Sequence, residues 1–114
     1  MAEVRIPSAP RGEIARMEDQ SATGTTALDL EIRPDMPCLL KLVVNKQSGE
    51  DLVVKHRIGS SGAFDVLVAS GSENSSESVT VGDVEMKEND ELWVDVGGTV
   101  SGARIVSAEA RRLS

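Results

Sequence analysis

A chain of 114 residues has room for one domain, and its 39% hydrophobic and 27% charged composition is that of a globular protein. A formal charge of −7 has the wrong sign for binding DNA or RNA through their phosphates, and no apolar run approaches the roughly 20 residues that cross a bilayer. A single cysteine, Cys38, and a single histidine, His56, leave neither an internal disulfide nor a Cys/His zinc site.

Residues 1–26 carry Pro7, Pro10, Gly12 and the small polar run SATGTT. They read as an extended N-terminal arm with a short helix from about Glu13 to Asp19, held in place by a neighbour. The apolar and basic side chains of this arm, Val4, Ile6, Ile14 and Met17 with Arg5, Arg11 and Arg16, are its expected partner-binding residues.

From residue 27 the pattern changes. Leu28, Leu30 and Ile32 alternate with Asp29, Glu31 and Arg33, the period-2 signature of a strand with one wet face. CLLKLVVN follows as a more central strand, the turn-forming KQSGED returns the chain, and LVVKHRI runs back. GSSG at 59–62 is a loop, AFDVLVA continues the series, and SGSENSSES holds no apolar residue in nine, so it reads as an exposed loop. In SVTVGDVEM, Gly82-Asp83 suggests a bulge or tight bend. KEND turns into ELWVDV, and Gly97-Gly98 signals a hairpin into TVSGARIVSA. Short strands at this spacing, rich in Val, Leu and Ile and with only Phe64 and Trp93 as aromatics, predict an all-β fold. It is expected to be a single sandwich or jelly roll of about seven or eight antiparallel strands over 27–107, followed by a C-terminal tail at 108–114.

None of the common catalytic motifs is present, so no enzyme, cofactor or metal is expected. His56 falls on the face of Val54 and Ile58, where a partly buried or interface role is expected, and Cys38 opens an apolar strand as a small hydrophobe. The carboxylates Glu85, Glu88, Asp90, Glu91 and Asp95 read as a solvated edge that discourages stray strand pairing, not as calcium ligands. Asn74-Ser75-Ser76 is a chance match to a glycosylation sequon. Trp93 shares a face with Glu91 and Asp95. Either that face packs on the opposite layer, with the acids at the strand ends, or Trp93 is presented outward to a partner.

Charge is partitioned along the chain: residues 1–16 carry +1, residues 103–114 carry +2, and residues 17–102 carry −10. Mildly basic ends on an acidic body favour contacts between ends and bodies of neighbouring copies.

The strand-Asn-x-x-x-Gly-strand pattern at Asn45 to Gly49, with VEMKENDELWVDVGG after it, weakly resembles the jelly rolls of the complement globular head and tumour necrosis factor. In that group the second stretch would be the penultimate strand, a polar turn with Asp90 and the final strand. The sandwich with an extended arm is also similar in architecture to the decoration, or cement, proteins of tailed-phage capsids. That resemblance implies a non-enzymatic structural protein made in a host cytoplasm and carried on a virion. It would self-associate, with a trimer favoured, and clamp a shell protein through residues 1–26 and Trp93. The alternative is a ligand- or carbohydrate-binding sandwich that uses the loops at Gly59 to Gly62 and Ser70 to Ser78. Neither reading involves nucleic acid or a membrane.

Overall fold

The computed structural model describes residues 2–47, 49–69, 78–97 and 103–113. They form ten strands and no helix: β1 (Ala2–Ile6), β2 (Ile14–Arg16), β3 (Gln20–Thr23), β4 (Leu28–Pro34), β5 (Cys38–Asn45), β6 (Leu52–Arg57), β7 (Asp65–Val68), β8 (Ser78–Met86), β9 (Glu91–Val96) and β10 (Ala103–Arg112). Sheet A has the order β1-β4-β9-β6-β7. Sheet B has the order β2-β10-β5-β8, with β3 also on β10.

Eight of these strands pair as a nested set: β3 with β10, β4 with β9, β5 with β8 and β6 with β7. This is one long hairpin, rolled until β9 also meets β6 and β10 also meets β5. Such a wrapped hairpin in two packed sheets is the jelly roll. Alternation in each strand supplies the core: Leu30, Ile32, Leu52, Val54, Leu92 and Val94 from sheet A meet Cys38, Leu40, Leu42, Val44, Val106 and Ala110 from sheet B. All of these are essentially inaccessible to solvent.

Both ends of the chain correct the sequence reading. The described part of residues 1–26 is not a free arm. β1 lies parallel to β4, with Val4 beside Ile32, and β2 and β3 lie antiparallel to β10. Ile6, Ala15 and Met17 are buried in the protein's own core. The helix expected at Glu13 to Asp19 is replaced by β2, because Ala15 and Met17 point inward as alternate residues and Met17 N–H donates to Ala108 O at 3.1 Å. Residues 108–112 of the expected tail at 108–114 are the second half of β10. There Val106, Ala108 and Ala110 alternate with Ser107, Glu109 and Arg111, and the first three are buried. The expected seven or eight antiparallel strands thus become, among the described residues, an eight-stranded roll plus β1 and β2, and β1 makes one pairing parallel.

β8 bulges at Gly82 and Asp83, opposite Lys41, as the sequence suggests. A Cβ at position 82 would sit 3.2 Å from Lys41 Cα, so a larger residue there would have to push the β5 backbone back by a few tenths of an ångström. The stretch from Val84 to Val96 is β8, a turn and β9, but these strands lie in opposite sheets and β10 follows them, so β9 is not the final strand. The loop at 70–77, the sequon within it and Gly98 of the expected hairpin lie outside the described residues.

At one end of the sandwich Arg104 and Glu50, both fully buried, form an ion pair with Nη2 2.6 Å from Oε2. The guanidinium also donates to Thr26 O and Gly24 O, each at 2.7 Å, and so fastens the β3–β4 connection to β10. Burial by itself would raise the Glu50 pKa, but hydrogen bonds from Arg104 and the Gln47 amide, with the charges of Arg104 and Lys46, hold it below the usual value.

Candidate functional site

The outward face of sheet A carries both aromatic side chains of the chain. Leu92, Val94 and Val96 of β9 point into the core, so Glu91, Trp93 and Asp95 point away from it. Pairing then sets the neighbours across the sheet. Trp93 stands between Glu31 of β4 and Lys55 of β6, and Lys55 stands beside Val66 of β7. One step along, Asp95 stands between Asp29 and Val53.

Phe64 is brought onto this row by the β6–β7 connection. Its ring meets Trp93 edge to face, with centroids 4.7 Å apart. The Arg57 guanidinium lies over both rings, 4.6 Å from the Phe64 centroid and 5.3 Å from that of Trp93, and Lys55 Nζ lies 5.5 Å from Phe64. Under the cluster is Glu91, 1% exposed, which accepts from Arg57 Nε, from Arg33 Nη2 at 3.0 Å and from Trp93 Nε1 at 3.4 Å. Arg33 reaches further to Glu31 at 3.1 Å and Glu3 at 3.2 Å.

Asp90 sets the loop that delivers Phe64. Its carboxylate accepts from the Gly59 and Lys87 amides, both at 3.0 Å, and lies 3.3 Å from His56 Nε2. It therefore ties the β8–β9 turn to the start of the β6–β7 connection, where Gly59 has a φ of 62°. Asp90 and Glu91 are buried, which corrects the reading of the acidic run as a solvated edge; only Glu85 and Glu88 face solvent in that way. The cause is local: each buried carboxylate has at least three donors or cations around it.

Asp29 and Asp95 are like charges directly across a strand pair. Burial, then a hydrogen bond and the negative charge of Asp29, raise the Asp95 pKa, and Lys55 opposes this only in part. Elsewhere, burial and the charge of Asp90 push the Cys38 thiol up to about 11, which removes it as a nucleophile at neutral pH.

Beside the aromatic cluster stands exposed Val66, next to Lys55, whereas Leu67 lines a cleft with β8. Among the described residues Ile58, Val66 and Leu67 are three of six exposed large aliphatic side chains, and all lie at the β6–β7 end of sheet A. Half-buried Trp93, Phe64 and Arg57 over a buried carboxylate, with exposed Val66 beside them, have the make-up of a protein-docking hot spot.

The sequence-predicted partner residues are dispersed. Trp93 lies in the cluster. Ile6 and Met17 are core residues, and Val4 is half-buried against the core. Arg5 caps the sheet edge, bonded to Asp35 at 3.1 Å and Asn89 at 2.6 Å. Ile14 and Arg16, the latter paired to Glu109, lie on the outward face of sheet B, and Arg11 is exposed near the chain ends. Phe64, Arg57 and Val66 were missed. Period-2 alternation puts Arg57 on the outer face beside Trp93 only once the β6–β9 register is known, and Phe64 arrives by a loop that has no periodicity.

No family model and no curated protein matches the chain. Among solved structures it is similar to Aeromonas hydrophila PliG, a periplasmic lysozyme inhibitor of g-type lysozyme, with a TM-score of 0.44 and 10% identity over 96% of this chain and 97% of that one. It is similar to a family 16 carbohydrate-binding module, with a TM-score of 0.33 and 10% identity over 82% and 72% of the two chains. It is also similar to a chain of infectious bursal disease virus, Gx strain, with a TM-score of 0.36 and 11% identity over 89% of this chain and 27% of that one. At these scores and identities the likenesses assign no partner.

Proposed function

We propose that this protein is a non-enzymatic binding module that docks on another protein through the outward face of sheet A. The observation that carries the reading is the meeting of Trp93, Phe64 and Arg57 beside exposed Val66, on strands whose opposite faces are locked into the core. A rigid platform of this kind presents large contact area with little conformational entropy left to lose on binding. The buried Glu91 holds Arg57 in its stacked position before any partner arrives.

Within this reading the assembly we favour is a phage or virus shell, which the module would decorate from outside. Attachment would then use this face, because Ile6 and Met17 are spent in the module's own core.

The test is a photo-crosslinking amino acid placed at Val66 or, as a control on the opposite sheet, at Ile105, in the cells or particles that contain the protein. A specific heterologous crosslink from position 66 that is absent from position 105 is expected, and it should be lost in Trp93→Ala. Equal yields from both positions would overturn the reading. A glycan-array signal that disappears in Trp93→Ala would replace the protein partner with a carbohydrate.

A further inference from the structure

We propose that the segment recognised by this face is a basic, extended polypeptide, with an apolar side chain on Trp93 and Val66 and an Arg or Lys two residues away at Asp29 and Asp95. This rests on the reading of sheet A as the docking face and names the chemistry of what docks there.

The geometry is that of a strand. Trp93 and Asp95 are alternate residues of β9, so their side chains emerge on one face about 7 Å apart. An extended segment lying along β9 presents its own alternate side chains at the same spacing, and an apolar residue at one position places the next same-face residue over the carboxylates.

The charges divide the face. Arg33 and Arg57 are engaged by Glu91, and Arg33 also by Glu31 and Glu3. Asp29 and Asp95 stand directly opposite one another and, among the described residues, neither has an ion pair; Lys55, beside Trp93, offsets their repulsion only in part. A cation brought by the partner relieves a repulsion that the free protein carries, which is gain present only in the complex. The −10 carried by residues 17–102 favours a basic visitor and disfavours a second copy of this chain. Strand addition by a second copy at the edge of sheet A is further hindered because β7 is four residues long and its pairing with β6 is interrupted by a bulge.

The experiment selects peptides from a random 12-residue display library on the full chain, then measures synthetic versions of the enriched sequences by the fluorescence of Trp93, the single tryptophan. Enriched peptides are expected to carry Arg or Lys two positions from an aliphatic or aromatic residue. Their affinity should fall at least tenfold in the double variant Asp29→Asn, Asp95→Asn and also with added salt. Acidic or charge-indifferent winners would overturn the proposal. So would full affinity in the double variant alongside loss in Val66→Lys, a result that leaves the docking face standing and removes only the basic partner. Peptides insensitive to both Val66→Lys and Trp93→Ala, or no enrichment over bare support, would overturn the proposal and the docking face together. Circular dichroism melts confirm that each variant is folded.

Discussion

Two carboxylate arrangements in this small protein respond to pH in opposite directions. Glu50 is held below its usual pKa, so its contribution to stability is complete above the unfolded value of roughly 4.3 and is lost as pH falls through the lower folded value. Removing its partner leaves a buried carboxylate without its ion pair and its side-chain hydrogen bond. Arg104→Met should therefore cost about 3–5 kcal/mol, read by urea unfolding at pH 7. Asp95 has the opposite sign. Its raised pKa means that the folded protein takes up a proton more readily than the unfolded chain, so the Asp29–Asp95 repulsion weakens folding above the folded pKa and fades as pH falls. Asp95→Asn should raise stability at pH 7 by about 0.2–1 kcal/mol, with the gain shrinking in acid and in high salt. A melting temperature that is lower in the variant at pH 7 would contradict this. Lys46 belongs to the first arrangement: its Nζ has no hydrogen-bond partner among the described residues, but its charge helps hold the Glu50 pKa down, so Lys46→Met should lower stability at pH 7 by less than Arg104→Met does in the same urea titration.

The strands from β4 to β9 are legible in the sequence because runs rich in Val, Leu and Ile are punctuated by turn residues, with the aliphatic–polar alternation clearest in β4. The ends are harder to read for a physical reason. In β10 the inward positions after Val106 are Ala108 and Ala110, which carry little hydrophobic signal, and β2 has three residues, too few to display a period. β1 does alternate, with Val4 and Ile6 against Glu3 and Arg5, yet Pro7 and Pro10 after it resemble a linker. At the site, the outward placement of Trp93 is visible in the spacing of Glu91, Trp93 and Asp95, whereas its contact with Phe64 depends on a loop and on register. Residues 2–17 act as structural strands in both sheets. Ile6→Ala should therefore destabilise the isolated protein by about 2–5 kcal/mol in chemical denaturation. An unchanged midpoint would restore the picture of a dispensable arm.

Taken whole, the molecule is a nested hairpin in which the residues farthest apart in sequence are neighbours in space. Ala15 pairs with Ala110, Gly12 N–H donates to Arg112 O at 3.2 Å, and Arg112 Nη1 donates to Ser8 Oγ at 2.8 Å. The last strand is also an interior one, flanked by β5 on one side and by β2 and β3 on the other. Sheet B therefore has no complete form until residues near 112 are available. On the ribosome, the first hundred residues must wait with Leu40, Leu42 and Val44 lacking their β10 neighbour, which is the interval in which a strand-rich chain is most open to wrong pairings. Removing only residues 108–114 should leave a chain that collects in aggregates, although it keeps nine-tenths of its length. The seam that joins its two ends is thus also the timer that decides when this protein can exist.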